Sequence, residues 1–286
     1  MINEYIIRAK KFRTKHSLGQ NFLVNKSVID EIMKNVDKDD VVLEIGPGVG
    51  FVTEQLVKVA TKVVAVELDN EAISVLNKNL GEYKNFTLIN NDILKVDISE
   101  LFKEEINQGK KIKVIANIPY YITTPILLHL LGEIDDINFK TRNIIKEIVL
   151  MVQYEVARRI VADEKSKNKE YGLLSILSNF WADTKIIKTV PKRSFYPSPK
   201  VDSALVKFVI NENPRVEINP YLKPTIKASF SQRRKNIKNC LKNGAFINVE
   251  EALNSCKLDL NLRGENLSIQ DFYNLSLKLK RAEDEN

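Results

Sequence analysis

Between residues 41 and 151, short runs rich in β-branched residues alternate with stretches of helical periodicity, and this alternation constrains the fold more than any other feature of the chain. It is the signature of βα units wound around a parallel sheet. The runs 41–45, 62–67, 86–90, 112–116 and 147–152 read as strands, with helices beginning near Phe51, Asn70, Ile98 and Thr124. Runs 185–190 and 204–210, on either side of a proline-rich turn from Pro191 to Pro199, add two more. The expected architecture is therefore α/β, a Rossmann-like, mostly parallel sheet of seven strands whose last members pair antiparallel. The stretch 211–220, with Asn213-Pro214 and Asn219-Pro220, reads as a linker, and only helical patterns follow it. The expected division is 1–212 for the α/β domain and 213–286 for a small all-helical domain, a partition that suits 286 residues.

The first strand of this series runs into Glu44-Ile-Gly-Pro-Gly-Val-Gly50. Glycines there let the backbone turn sharply and approach a ligand closely. The dinucleotide fingerprint needs its third glycine where Phe51 stands, so a pyrophosphate ligand is disfavoured. Glu67 closes the second strand, where a carboxylate can accept ribose hydroxyls, and Asp92 follows the third, where one can meet an adenine amine. Three such groups at the carboxyl ends of neighbouring strands describe a nucleoside cleft. The order resembles that of class I S-adenosylmethionine-dependent methyltransferases, whose cofactor carries a sulfonium and no pyrophosphate.

After the fourth strand comes Asn117-Ile-Pro-Tyr120. An amine conjugated to a purine is a poor nucleophile because its lone pair is delocalised. The side-chain oxygen of Asn117 and the carbonyl of Ile118 can accept its two N–H bonds and aim that lone pair at a methyl donor, which is positioning and electrostatics without a general base. Tyr120 offers a π-face for an extruded base, and Pro119 restricts the backbone so that Asn117 and Tyr120 face one pocket.

The charge has its own distribution. Residues 223–242 hold Lys223, Lys227, Arg233, Arg234, Lys235, Lys238 and Lys242 with no acid, a local +7 equal to the net charge of the whole chain. On a helical wheel of about 100° per residue, Ile226, Phe230, Ile237 and Leu241 form an apolar stripe beside an arc of Lys227, Arg234, Lys235, Lys238 and Lys242. This pattern describes one docked helix with a phosphate-facing side. A second basic cluster, Arg8, Lys10, Lys11, Arg13 and Lys15 against Glu4, opens the chain, so a polyanion is the expected partner.

Taken together, His16 to Leu23, Glu44 to Gly50, Val66 to Asp69, Asn91-Asp92, Asn117 to Tyr120, Tyr171 to Ser175, Pro197 to Ala204 and Phe230 to Lys235 resemble the ribosomal RNA adenine dimethyltransferase family. The resemblance covers nearly the whole chain. It implies S-adenosylmethionine as cofactor, contacted by Asn21, Leu23, Gly46, Glu67, Asp92 and Asn117. It implies a catalytic group of Asn117, Ile118, Pro119, Tyr120 and Phe195, the last as a second aromatic wall. It also implies RNA contacts from Arg13, Lys15, Lys227, Arg233, Arg234, Lys235, Lys238 and Lys242. The substrate implied is 16S rRNA of an immature small ribosomal subunit, dimethylated on N6 of two adjacent adenosines in a loop near its 3′ end. Alternatives at this stage are a 23S-type enzyme conferring antibiotic resistance, a DNA adenine methyltransferase, and an RNA-binding assembly checkpoint factor.

Other classes drop out. The cysteines Cys240 and Cys256 have no partner at metal-ligand spacing, so neither a zinc site nor a disulfide scaffold is expected. No apolar run approaches the roughly 20 residues that span a bilayer, and the N-terminal segment lacks a signal-peptide core. A monomer in the cytoplasm is the expected form. His16 reads as part of an RNA-facing arm, His129 as a helix residue and Trp181 as core.

Overall fold

Every residue of Val41–Ile45 is buried, as a Val-Val-Leu-Glu-Ile run must be when helices cover both faces of its strand. The structure, a computed structural model, describes residues 4–12, 19–166, 170–232 and 234–281. Its strands are β1 (Phe22–Leu23), β2 (Val41–Ile45), β3 (Lys62–Glu67), β4 (Phe86–Asn90), β5 (Ile112–Asn117), β6 (Ile145–Gln153), β7 (Ala182–Val190), β8 (Phe195–Tyr196) and β9 (Ser203–Ile210). Seven of them form one sheet in the order β4-β3-β2-β5-β6-β9-β7. Strands β4, β3, β2, β5 and β6 are parallel, and β9 runs antiparallel to β6. This is the expected Rossmann-like sheet. The chain winds outward from β2 to β4, then returns to β5 on the other side of β2, which makes the carboxyl ends of β2 and β5 the switch point where such folds hold ligands.

The sequence pattern gives no sign of β1 and β8. They pair antiparallel, Phe22 opposite Tyr196 and Leu23 opposite Phe195, and the ladder continues with Val24 N donating to Ser194 O at 2.8 Å. Two-residue strands carry no period, and their partners lie far apart in the chain. The ladder nonetheless fixes the arm before the helix Lys26–Met33, since Phe22, Leu23 and Phe195 all enter the main core.

The opposite end of the sheet is tied by buried charge. Lys113 Nζ lies 2.8 Å from Asp40 Oδ2 and 3.3 Å from Glu147 Oε2, and donates to Asn35 O at 2.7 Å. Lys146 reaches the other Asp40 oxygen, and Lys207 pairs with Glu147 at 2.6 Å. Burial alone would raise the Asp40 carboxyl, but the Asp37 N–H, Lys113 and Lys146 together hold it below its usual value.

The described chain forms two compact units that do not follow a single cut at residue 212. The first contains the residues up to Gly132 with Phe139–Ala157 and Thr184–Ile210. The second gathers Glu133–Asn138, Arg158–Asp183 and the chain from Asn211 onward. The earlier segments join it through hydrogen bonds that sequence order hides. Trp181 Nε1 donates to Glu133 O, Asn179 Nδ2 to Ile160 O, and Arg215 Nε to Asn179 O. Its interior includes Ile226, Ile237, Leu241 and Phe272, with Phe230 set between the rings of Tyr171 and Phe272.

Removing one member of a buried ion group strands the others without a counter-charge. Lys113→Ala should therefore destabilise the protein by about 3–5 kcal/mol in urea unfolding at neutral pH. A loss below about 1 kcal/mol would show that the cluster is solvated and contributes as a surface pair does.

Candidate active site

The glycine loop after β2 is shaped by what its residues lack. Gly46 and Gly48 adopt φ of 67° and 56°, and a Cβ on Gly48 would stand 2.8 Å from Phe22 Cε1. The loop can therefore lie under the β1 arm. Gly48 N then donates to Glu67 Oε2 at 3.0 Å, while Leu68 N and Asp69 N donate to Glu67 Oε1 at 2.8 and 2.9 Å. Burial raises the Glu67 carboxyl, and these three backbone donors work against the rise. They occupy three of about four acceptor positions, leaving Oε2 open to one further donor. Asp69 caps the helix Asn70–Leu80 through Glu71 N and accepts Gln20 Nε2 at 2.6 Å, which ties the arm to the loop after β3. Asp92 caps the short turn Ile93–Lys95 and is half-buried.

One cavity brings together Asn21, Leu23, Gly46, Glu67, Asp92, Asn117, Ile118, Pro119 and Tyr120. Asn117 ends β5, and its Nδ2 donates to Asn21 O at 3.3 Å. With the amide nitrogen engaged by the arm, the oxygen is the end left to accept. Tyr120, half-buried, shares a 2.7 Å hydrogen bond with Ser203 Oγ on β9, and burial pushes its phenol above the usual value. Its ring is thus held at both ends.

Phe195 departs from the expected placement. It does not line the cavity: it is 4% exposed, stands opposite Leu23 in the ladder and packs into the core. Ladder pairing buries the ring, so Phe195 supports the wall that Leu23 presents. The cavity also has lining residues that the sequence pattern did not assign, among them Glu44, Leu68 and Tyr121. Burial of Glu44 on every side becomes visible only once β2 is placed between β3 and β5.

The basic residues stand differently from the wheel. Arg13, Lys15 and Arg233, and with them His16, lie outside the described residues. In place of one continuous helix there are two, Leu222–Ser229 and Ile237–Asn243. The first ends as the backbone leaves helical angles at Phe230, and Asn236 starts the second by accepting Asn239 N at 3.0 Å. The apolar residues Ile226, Ile237 and Leu241 are buried as a docking stripe requires. Two of the lysines are engaged within the unit, since Glu250 accepts both Lys238 at 3.0 Å and Lys242 at 2.8 Å. These two cations pull the Glu250 carboxyl down to about 2. Lys227 lies 3.7 Å from Glu133. Arg234 and Lys235 sit exposed in the turn between the helices, unpaired with acids among the described residues.

A parallel sheet with acids at the carboxyl ends of β2 and β3, a glycine loop without phosphate-binding cations and an Asn-Ile-Pro-Tyr turn after β5 defines a class I methyltransferase acting on an amine. Residues 11–281 match the family model described as ribosomal RNA adenine dimethylase. The chain is 41% identical to ribosomal RNA small subunit methyltransferase A of Bacillus pumilus, over 97% of this chain and 95% of that protein. It is 39% identical to the protein of that name from Clostridium acetobutylicum, over 96% and 97%. Among solved structures it superposes on a dimethyladenosine transferase from Plasmodium falciparum with a TM-score of 0.66 at 25% identity, covering 88% of this chain and 94% of that one. The chain belongs to the ribosomal RNA adenine dimethylase family and is an S-adenosylmethionine-dependent methyltransferase.

The cavity fits that cofactor. Its lining holds the carboxylates of Glu67 and Asp92, the buried carboxyl of Glu44 and, among the described residues, no Lys, Arg or His. Such a wall repels phosphate and attracts a sulfonium and an ammonium group. Among the described residues no group of three or more His, Cys, Asp or Glu is arranged to hold a metal ion.

Glu44 is the most buried of the three acids, and its Oε2 has no hydrogen-bond partner. Burial raises its carboxyl from 4.5 to about 8, with the negative charge of Glu67 acting the same way. A raised folded value means that the unfolded chain gives up this proton first. The stability contributed by neutral Glu44 is full below about pH 4.5 and is lost as the pH climbs toward about 8. Glu44→Gln, which keeps the neutral shape, should be more stable than the parent at pH 8, by about 4 kcal/mol at the upper bound, and nearly equal to it at pH 5. Parallel pH profiles in urea unfolding would show that Glu44 does not carry this proton.

Proposed function

We propose that this enzyme transfers methyl groups from S-adenosylmethionine to N6 of two adjacent adenosines near the 3′ end of small-subunit ribosomal RNA, twice on each. The observation that carries the reading is the hold on Asn117, whose Nδ2 is occupied by Asn21 O beside the half-buried ring of Tyr120. That leaves Oδ1, with the carbonyl of Ile118, to accept the two N–H bonds of an adenine amine. A monomethylated amine keeps one N–H, so the same pair can hold it for a second transfer. In this reading Asn21, Leu23, Gly46, Glu67 and Asp92 hold the cofactor, the open position on Glu67 Oε2 taking a ribose hydroxyl. The relatives named as small-subunit methyltransferases, which match this chain nearly end to end, support the choice of subunit. The 1–212 segment binds cofactor and target base, 213–286 adds RNA affinity, and the enzyme works as a cytoplasmic monomer. No helix among the described residues is long and apolar enough to cross a membrane.

The deciding experiment supplies labelled cofactor to small ribosomal subunits that lack the modifications and identifies the nucleosides after digestion. N6,N6-dimethyladenosine in small-subunit RNA is the expected product. Label confined to large-subunit RNA, to DNA or to monomethyladenosine at saturating cofactor would reject the assignment. Tyr120→Ala should lower transfer by the equivalent of about 1–3 kcal/mol, the value of stacking a base, while calorimetry finds cofactor affinity unchanged.

The basic side chains should be ranked by their internal competition. Replacing Arg234 and Lys235 with Gln should flatten the dependence of log K on log salt by about 0.7–0.9 for each phosphate that is no longer neutralised. Replacing Lys238 and Lys242 should do less, because those two must first leave Glu250. Equal effects from the two pairs would show that Glu250 does not compete with RNA.

A further inference from the structure

Tyr121 is 67% exposed, the most exposed large apolar side chain among the described residues. It stands at the rim of the cavity that Tyr120 lines from within. The two tyrosines are consecutive in the single 3₁₀ turn Tyr120–Ile122, where about three residues complete a turn. Neighbouring side chains therefore point about 120° apart, so that when Tyr120 turns in toward Ser203, Tyr121 is directed outward. The outer ring has the backbone of Gly19 as a neighbour. A Cβ on Gly19 would lie 3.5 Å from Tyr121 Cε1 and 3.2 Å from Pro119 Cβ, so the glycine, at φ 60°, lets the arm lie against both. An aromatic ring kept in water beside the cavity, with backbone against one edge and its face open, is suited to act as a platform.

We propose that Tyr121 is a positioning residue that stacks the nucleobase next to the target adenine. The inference rests on the proposed function and deepens it, because there the neighbour is a second adenosine. Stacking uses the π-face of a base and is indifferent to its amine, so the platform accepts the neighbour before or after methylation. The Asn117 site, by contrast, reads the amine itself. The direction of the strand through the pocket is set by the target base, so one platform serves the neighbour on one side only. Tyr121 therefore assists one of the two adenosines more than the other.

The test uses unmodified small subunits with wild-type enzyme, Tyr121→Ala and Tyr121→Phe, and measures kcat/KM separately at each adenosine. Tyr121→Ala should lose about 5- to 150-fold at one adenosine and far less at the other, with Tyr121→Phe near wild type and cofactor affinity unchanged in all three. Changing the neighbouring adenosine to uridine in the RNA should cost the wild type rate at that site and cost Tyr121→Ala little more. Equal losses at both adenosines, no loss at either, or a penalty for uridine that is the same with and without the ring would overturn the platform. If wild-type enzyme dimethylates neither adenosine, the proposed function falls and takes this inference with it. Dimethylation by the wild type with no effect of Tyr121→Ala overturns this inference alone.

Discussion

The hydrogen bond from Gly48 N to Glu67 Oε2 is the constraint on which the rest of the site depends. It joins the loop after β2 to the end of β3, and it forms because Gly48 can hold a positive φ under the ring of Phe22. With Leu68 N and Asp69 N it fixes a carboxylate at 8% exposure, where an unheld charge would be expelled or neutralised. The β1 arm that Gly48 admits then supplies Asn21 O to Asn117 and Gln20 to Asp69. The acid wall of the cavity and the amide of Asn117 are therefore set by one backbone arrangement, with no cation among the described lining residues to share the work.

That economy matches the reaction. A methyl transfer to an aromatic amine calls for aim and for acceptors, and its spent proton needs no resident base. Of the two histidines, His129 meets Val96 O through Nε2 within the fold, and His16 lies outside the described residues. The polar groups that matter are oriented by backbone atoms, whose positions the sheet determines. In the second unit, Glu250 accepts both Lys238 and Lys242, so a phosphate bound by those lysines would have to compete with it.

Much of this was legible in the residues because it lay in local pattern. The seven strands of the sheet follow from β-branched runs, the ligand end from the glycine loop, and the acids Glu67 and Asp92 from their positions at or just past the ends of β3 and β4, while Glu44 carried no such sign. What escaped was long-range or compensated. The β1–β8 ladder is two residues long and joins segments far apart in sequence, so nothing periodic announced it, and Phe195 consequently looked like a free aromatic wall. The basic stretch read as one helix because Ile226 and Ile237 do share a stripe, yet the cap at Asn236 divides it. Its charge looked unopposed because Glu133 and Glu250 come from other parts of the chain. The segments that join the helical unit from before residue 184 are visible only through the hydrogen bonds of Trp181 and Asn179.

The acid-lined cavity also bears on how the four transfers of the proposed reaction can follow one another. Each transfer removes the positive charge from the sulfur of the cofactor and leaves a neutral thioether. Glu67 and Asp92 line the cavity with no Lys, Arg or His among the described residues to offset them, so the wall attracts the charged form more than the neutral one. The preference is strongest where water is scarcest, and of these two Glu67, at 8% exposure, is the less screened by solvent, whereas Glu44 keeps its proton near neutral pH and adds no charge. The attraction that gathers a fresh cofactor is thus weakened by the reaction itself, and the spent one is the easier to exchange. In the proposed reading, an RNA held at Arg234 and Lys235 need not be released when that exchange occurs. Phosphate affinity and cofactor affinity rest, in that reading, on different groups, an arrangement that permits one bound substrate to meet several cofactors in succession.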